Sequence, residues 1–232
     1  MNTNSNSYTF IYSSILVVLV AAALAFTNGA LKDKQAKNVD VDKMQQILHS
    51  LKITAEYDAA DQIYKQTITR SYLINSQGLI VDSTSASAFV LDMAKEVAKP
   101  VSERTLPVFE ASIKNEVKYI LPVYGAGLWG PIWGYVALNA DKNTIFATSF
   151  SHQGETPGLG AEISTGIFQA QFTGKQLFKD GVFKSVAVVK PGQKSEGMDY
   201  VDGISGGTIT SKGVDNMLLN SLSAYETFLK KQ

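Results

Sequence analysis

The chain has 232 residues, 45% hydrophobic and 18% charged, with 21 basic against 21 acidic side chains; this suits one packed domain, or one domain plus an anchor, rather than a disordered chain. The balanced charge provides no global basic field for binding nucleic acid. The absence of cysteine excludes disulfides, thiolate-held iron–sulfur clusters, c-type haem attachment and a cysteine nucleophile, and two histidines, His49 and His152, disfavour a His-rich zinc site.

Residues 1–7 read as a short polar tail. Residues 8–31 contain no charged side chain, and about 20 apolar residues suffice for a helix to cross a bilayer. No Lys or Arg precedes the apolar run, and the run is long for the core of a cleaved signal peptide, so a retained transmembrane helix is expected. Lys32, Lys34 and Lys37 follow it; counted alone, these charges would leave the following domain, residues 32–232, in the cytoplasm.

Asp40 to Lys52 is expected to be a helix, with Met44, Ile47, Leu48 and Leu51 on one stripe and His49 off it, in solvent. Gln66 to Ile74 is rich in β-branched residues and predicts a strand, turned by Ser76-Gln77-Gly78 into Leu79-Ile80-Val81. Ser87 to Lys99 predicts a second helix, stopped by Pro100. Two hairpins follow: Leu106–Ile113 with Val117–Tyr124 around Lys114-Asn115-Glu116, and Ile132–Asn139 with Thr144–Ser151 around Asp141-Lys142-Asn143. Ala161 to Ala170 is expected to be helical, Val182 to Lys190 to be a strand, and Ser211 to Lys230 to be a final helix with Val214, Met217, Leu218, Leu222, Tyr225 and Leu229 on one face. Strands grouped between helices predict an α+β fold with a mainly antiparallel sheet flanked by helices.

Three stretches carry candidate chemistry. Gly125-Ala126-Gly127-Leu128-Trp129-Gly130-Pro131 joins two strands and sets Trp129 among glycines, which permit close backbone approach. His152-Gln153-Gly154-Glu155-Thr156-Pro157-Gly158-Leu159-Gly160 ends a strand, where functional loops concentrate; His152 and Glu155 are too few for a metal site. Asp202-Gly203-Ile204-Ser205-Gly206-Gly207-Thr208-Ile209-Thr210-Ser211 precedes the last helix. It reads as a glycine turn and helix start, with Thr210 or Ser211 as cap, and its N-terminal N–H groups suit a phosphate. Lys190, at the end of an apolar strand, would suit a flavin or a phosphate. No serine-hydrolase triad assembles.

The run Asp202-Gly203-Ile204-Ser205-Gly206-Gly207-Thr208 resembles the flavinylation motif of covalent-FMN proteins. Together with Gly127-Leu128-Trp129-Gly130, Glu155-Thr156-Pro157-Gly158-Leu159-Gly160 and the apolar N-terminal run, it resembles the NqrC family, the C subunits of Na⁺-translocating NADH:quinone oxidoreductases. The resemblance implies FMN esterified to Thr208 by a flavin transferase that recognises Asp202. It implies flavin contacts at Glu155, Thr156, Leu159, Gly160, Lys190, Ser205, Gly206, Gly207 and, less directly, Trp129. It further implies electron relay from NADH towards quinone with other subunits of a membrane complex. The domain would then face the periplasm of a bacterial inner membrane, held by one span, against the charge count; the resemblance rests on more residues. Two alternatives stand: the G subunit of the related Rnf ferredoxin-linked complex, and a membrane-anchored binding module without covalent flavin. Gly207 stands where the family usually has Ala, which leaves attachment sterically open but would weaken recognition by the attaching enzyme.

Overall fold

In a computed structural model, which describes residues 5–231, the chain divides into two units, Met1–Lys43 and Met44–Gln232. Helix α1 (Asn6–His49) supplies nearly all of the first unit. It is the one helix among the described residues long and apolar enough to cross a bilayer, with a window of mean hydropathy 2.3. The expected tail at residues 1–7 falls mostly outside the described residues. The helix expected over Asp40–Lys52 is not separate: no Gly or Pro interrupts Ala30–His49, so α1 continues to His49. Within the second unit, Ile47, Leu48 and Leu51 are buried and His49 is exposed, as the apolar stripe predicts.

The second unit is built on a six-stranded antiparallel sheet in the order β2-β1-β3-β4-β5-β6. Its strands are β1 (Ile68–Ile74), β2 (Ile80–Asp82), β3 (Leu106–Ile113), β4 (Glu116–Ala126), β5 (Pro131–Leu138) and β6 (Ile145–His152). The β3–β4 turn places Lys114 at φ 51° and Asn115 at φ 66°, the left-handed pair that matches strand twist in a tight hairpin. In the β5–β6 turn the Asp141 carboxylate accepts from the Asn143 and Thr144 N–H groups at 3.0 and 2.9 Å.

Helices cover both sheet faces. One face packs Ile47 and Leu51 with Ala88 of α3 (Ser85–Val90) against Phe109, Ile120 and Tyr135; Trp133 Nε1 donates to Gln46 Oε1 at 3.0 Å. The other packs α6 (Thr208–Leu222) through Val214, Met217, Leu218 and Leu222 against Leu121, Val123, Ile132 and Val136. Alternation along β4 sends Ile120 to one face and Leu121 to the other side of the pleat.

Several expected elements are shorter or divided. Gln66 and Thr67 belong to α2 (Ala60–Thr67) rather than to β1. The helix expected over Ser87–Lys99 is two, α3 and α4 (Met93–Val97), because Asp92 takes an extended conformation and its carboxylate caps Ala94 N at 3.0 Å. Ala161–Ala170 splits into a 3-10 turn (Gly160–Ser164) and α5 (Gly166–Ala170), with Thr165 as the cap between them. The strand expected over Val182–Lys190 breaks at Ser185, φ 64°: β7 (Phe178–Lys179) and β8 (Val182–Phe183) form a small hairpin, and β9 (Val186–Val189) pairs in parallel with β10 (Asp199–Asp202). The final helix starts at Thr208, three residues before the expected Ser211. It ends at Leu222, followed by a 3-10 turn and α7 (Glu226–Lys230).

Helix α6 lies close to the end of β4 because two glycines face each other's element. A Cβ at Gly125 would come within 2.7 Å of Met217 Cβ, and one at Gly213 would press on the Ala126 carbonyl. Helix propensity alone would make Gly213→Ala stabilising by about 1 kcal/mol. The contact reverses the sign: the variant is expected to lose about 1–2 kcal/mol, the range of overpacked sites, as read from urea unfolding of the full chain in detergent.

Candidate functional site

Three chain segments meet at the start of α6. The first is the β4–β5 loop, closed by Gly127 N donating to Gly130 O at 2.8 Å. The second follows β6, where Leu159 N and Ala161 N both donate to Thr156 O at 3.1 Å, and Gly158 takes φ 75°. The third is the turn before α6: Gly207 N donates to Ile204 O at 3.0 Å with Gly206 at φ 78°. Ser211 Oγ accepts from Ile204 N at 2.8 Å, and Gly203 N donates to Val189 O at 2.7 Å. These bonds fasten the turn to the helix behind it and to β9.

Glu155 joins the three segments. Its side chain is only 4% exposed. Oε1 accepts from Trp129 N at 2.9 Å, and Oε2 accepts from the Thr210 hydroxyl at 2.5 Å. A Cβ on Gly127 or on Gly160 would run into this carboxylate, so both glycines make room for it. Its own N–H donates to His152 Nδ1 at 3.2 Å; no group of three ligating side chains exists among the described residues. Burial raises the cost of the charge, but the Thr210 hydroxyl, the Trp129 and Leu128 N–H groups and His152 together outweigh it, and the carboxyl titrates below the usual range.

Thr208 is the first residue of α6 and is exposed. No side chain caps this helix: the expected caps are otherwise engaged, Thr210 with Glu155 and Ser211 with Ile204. The first-turn N–H groups and the positive end of the helix dipole thus face the Thr208 surroundings.

Two cavities meet at Thr208. The first, of about 380 Å³, is lined by Trp129, Glu155, Thr156, Leu159, Gly160 and Gly206–Thr208, with Leu128 and Ile209 beside them. Trp129, at 68% exposed, and Ile209, at 59%, leave it an apolar rim. The second, of about 520 Å³, is lined by Lys190, Ser205 and Thr208 against a wall of Val188, Val189 and Ile204. Lys212 also lines it and pairs with Asp215, whose other oxygen accepts from Val188 N at 3.0 Å. Both volumes suit a small-molecule ligand. The candidate residues are therefore gathered around Thr208 but divided between its two sides. Asp202 lines neither cavity; its side chain is exposed, and its backbone exchanges bonds with the Gln171 amide at 3.0 and 3.2 Å.

Thr210, Ile209 and Lys212 complete the site. The sequence offers Thr210 only as a cap and gives no role to the other two. Thr210 meets Glu155 across 55 residues of chain, a separation that leaves no local pattern to read. The Gly127 and Gly160 positions are the available signal, since each marks where another group approaches closely.

The two adjacent glycines of the turn differ physically. Gly206 has the left-handed φ of 78°, and a Cβ there would lie 2.7 Å from Leu159 Cδ2. Gly207 has φ −104°, open to any residue, and its Cβ would sit 3.1 Å from Ile204 Cγ2. Gly206→Ala is expected to cost about 1–2 kcal/mol. Gly207→Ala should stay within about 1 kcal/mol of the parent, because the unfolded-chain entropy it removes offsets the tight contact; thermal unfolding of both variants checks the contrast.

The depressed Glu155 carboxyl also predicts a pH dependence. Its stabilisation is fully present above the ordinary carboxyl value of 4.5 and is lost as pH falls through its lower folded value. Glu155→Gln should therefore be less stable at neutral pH and show a flatter loss of stability below about pH 4.5, measured by urea titrations across pH 3–7.

An FMN-binding domain family matches residues 127–223, from the β4–β5 loop to just beyond the end of α6. The chain is 32% identical over 201 residues to the C subunit of the Na(+)-translocating NADH-quinone reductase of Vibrio vulnificus (strain YJ016), covering 80% of this chain and 78% of that relative. It is likewise 32% identical over 229 residues to the C subunit of the Haemophilus ducreyi reductase, covering 93% and 89%. The crystal structure of the corresponding C subunit from Parabacteroides distasonis ATCC 8503 superposes with a TM-score of 0.81 at 50% identity, covering 87% of this chain and 98% of that one. With the sheet, the three converging loops and the apolar N-terminal helix already in place, this similarity over most of its length means that the chain belongs to the NqrC family, the C subunits of Na(+)-translocating NADH-quinone reductases.

Proposed function

We propose that this protein is the electron-carrying flavoprotein subunit of a Na⁺-translocating NADH:quinone reductase, holding FMN through a phosphoester to the Thr208 hydroxyl. The observation that carries the reading is the position of Thr208: an exposed hydroxyl on the first turn of an uncapped helix, shared by two cavities of ligand size. Identity with NqrC relatives across most of the chain favours this complex over the Rnf type.

The residues present fit the group. A phosphate at Thr208 would meet the N-terminal N–H groups of α6 and the dipole, an interaction worth roughly 0.3–2 kcal/mol. That is too weak to retain a cofactor alone, which is the physical reason for a covalent bond. Gly206 and Gly207 keep side chains away from the attachment point, while Leu159, Trp129 and Ile209 offer apolar surface to a planar ring. Lys190 and Lys212 place cations on the opposite side. FMN supplies the electron chemistry when bound; the protein sets its position and electrostatic surroundings. Asp202, exposed beside the turn, is available for recognition by a flavin transferase.

In this reading the apolar part of α1 anchors the domain to a bacterial inner membrane, with residues 32–232 on the periplasmic side and the other subunits of the complex as partners. Exposed apolar side chains such as Phe10, Leu16 and Leu24 support the anchor.

Co-expressed with its flavin transferase, the chain should fluoresce under ultraviolet light on a denaturing gel, and intact mass should exceed that of the bare polypeptide by one esterified FMN. Thr208→Ala should abolish both signals. A variant that keeps the flavin would exclude Thr208 as the attachment site, and a bare mass for the parent would favour a binding module without covalent flavin.

A further inference from the structure

We propose that Glu155 is a positioning residue for this site: its buried carboxylate locks the Leu128–Trp129 wall and the first turn of α6 into one frame around Thr208, and fixes a negative charge beside the ring cavity. The identity of the ligand rests on the FMN reading above; the mechanical coupling does not.

The geometry separates this role from direct contact with a ring. The two carboxylate oxygens face different segments, Oε1 the backbone of Trp129 at 2.9 Å and Oε2 the hydroxyl of Thr210 at 2.5 Å. The backbone N–H of Glu155 is held by His152 Nδ1 at 3.2 Å. At 4% exposure, the side chain has little surface left to offer a ligand. A buried anion is tolerated only where its hydrogen bonds are made, and removing one partner leaves the rest unsatisfied. The loop and the helix start therefore depend on the same group, although they lie far apart in the sequence. Gly127 and Gly160 fit the arrangement, since a Cβ on either would displace the carboxylate. Thr210 lies two residues from Thr208 on the same helical turn, so a shift of the carboxylate is transmitted to the attachment hydroxyl.

The test uses the full-length chain in detergent, flavin-free and flavin-loaded, as parent, Glu155→Gln, Thr210→Val and the double variant. In the flavin-free protein, amide exchange at residues 127–129 and at residues 211–213, the first hydrogen-bonded amides of α6, should accelerate together, by at least about tenfold, as expected for losing a hydrogen bond to a charged acceptor. The effects should be non-additive in the double variant, while exchange in β3 and β4 stays at the parent rate. In the loaded protein, Glu155→Gln should shift the flavin midpoint potential positive, because a fixed anion beside the ring opposes electron uptake. Thr210→Val, which keeps the carboxylate, should shift it less. Acceleration confined to one of the two segments, additive effects, or an unchanged potential in Glu155→Gln overturns the proposal. A chain that takes up no flavin overturns the FMN reading instead, and the exchange result then decides on Glu155. Thr210→Val guards against misfolding of the Glu155 variant, since it leaves the carboxylate with its backbone donors.

Discussion

A carboxylate removed from water must be surrounded by donors or it neutralises. Glu155 meets that demand by drawing donors from two distant segments, the β4–β5 loop and α6, into the loop that carries it. The site's walls are consequently placed by one ionic group rather than by three independent loops. Everything around it is arranged to leave it space: two glycines without side chains at the points of contact, and a helix that gives the hydroxyl of its third residue, Thr210, to the carboxylate.

That diversion has a consequence for the helix. With Thr210 and Ser211 both bonded elsewhere, α6 begins without a side-chain cap. Its unpaired N–H groups are left open beside Thr208, and under the proposed function an esterified phosphate there would supply what the missing cap does not. The helix can be held in this state because its other end is secured. Val214, Met217, Leu218 and Leu222 are buried against the sheet, and Asp215 bonds Val188 of β9. The apolar face provides the stability, and the polar start is free to serve the ligand.

Much of the scaffold is legible in the chain. The β3–β4 and β5–β6 hairpins follow from turn residues able to take left-handed angles or bond their own backbone, at Lys114-Asn115 and Asp141. The apolar stripes of α6 and of the end of α1 are visible in their spacing. Three of the boundaries that differ have local causes within an otherwise continuous apolar pattern: the side chains of Asp92 and Thr165 cap the helices that follow them, and Ser185 takes a left-handed backbone angle. The parallel β9–β10 pair leaves no such trace, because its partners are joined through residues 190–198 and pair without a hairpin signal.

Alone, the order of residues determined the α+β class, the apolar helix, the three glycine-bearing loops and Thr208 as the hydroxyl of interest. These depend on local conformational preference and on motif, both of which are written along the chain. Only the tertiary structure decided that the candidate residues line two cavities rather than one, that Thr208 is the first residue of an uncapped helix, and that Glu155 bonds Thr210. Those features depend on which groups meet across long separations, and a buried charge selects its partners by proximity in space, which no local pattern records.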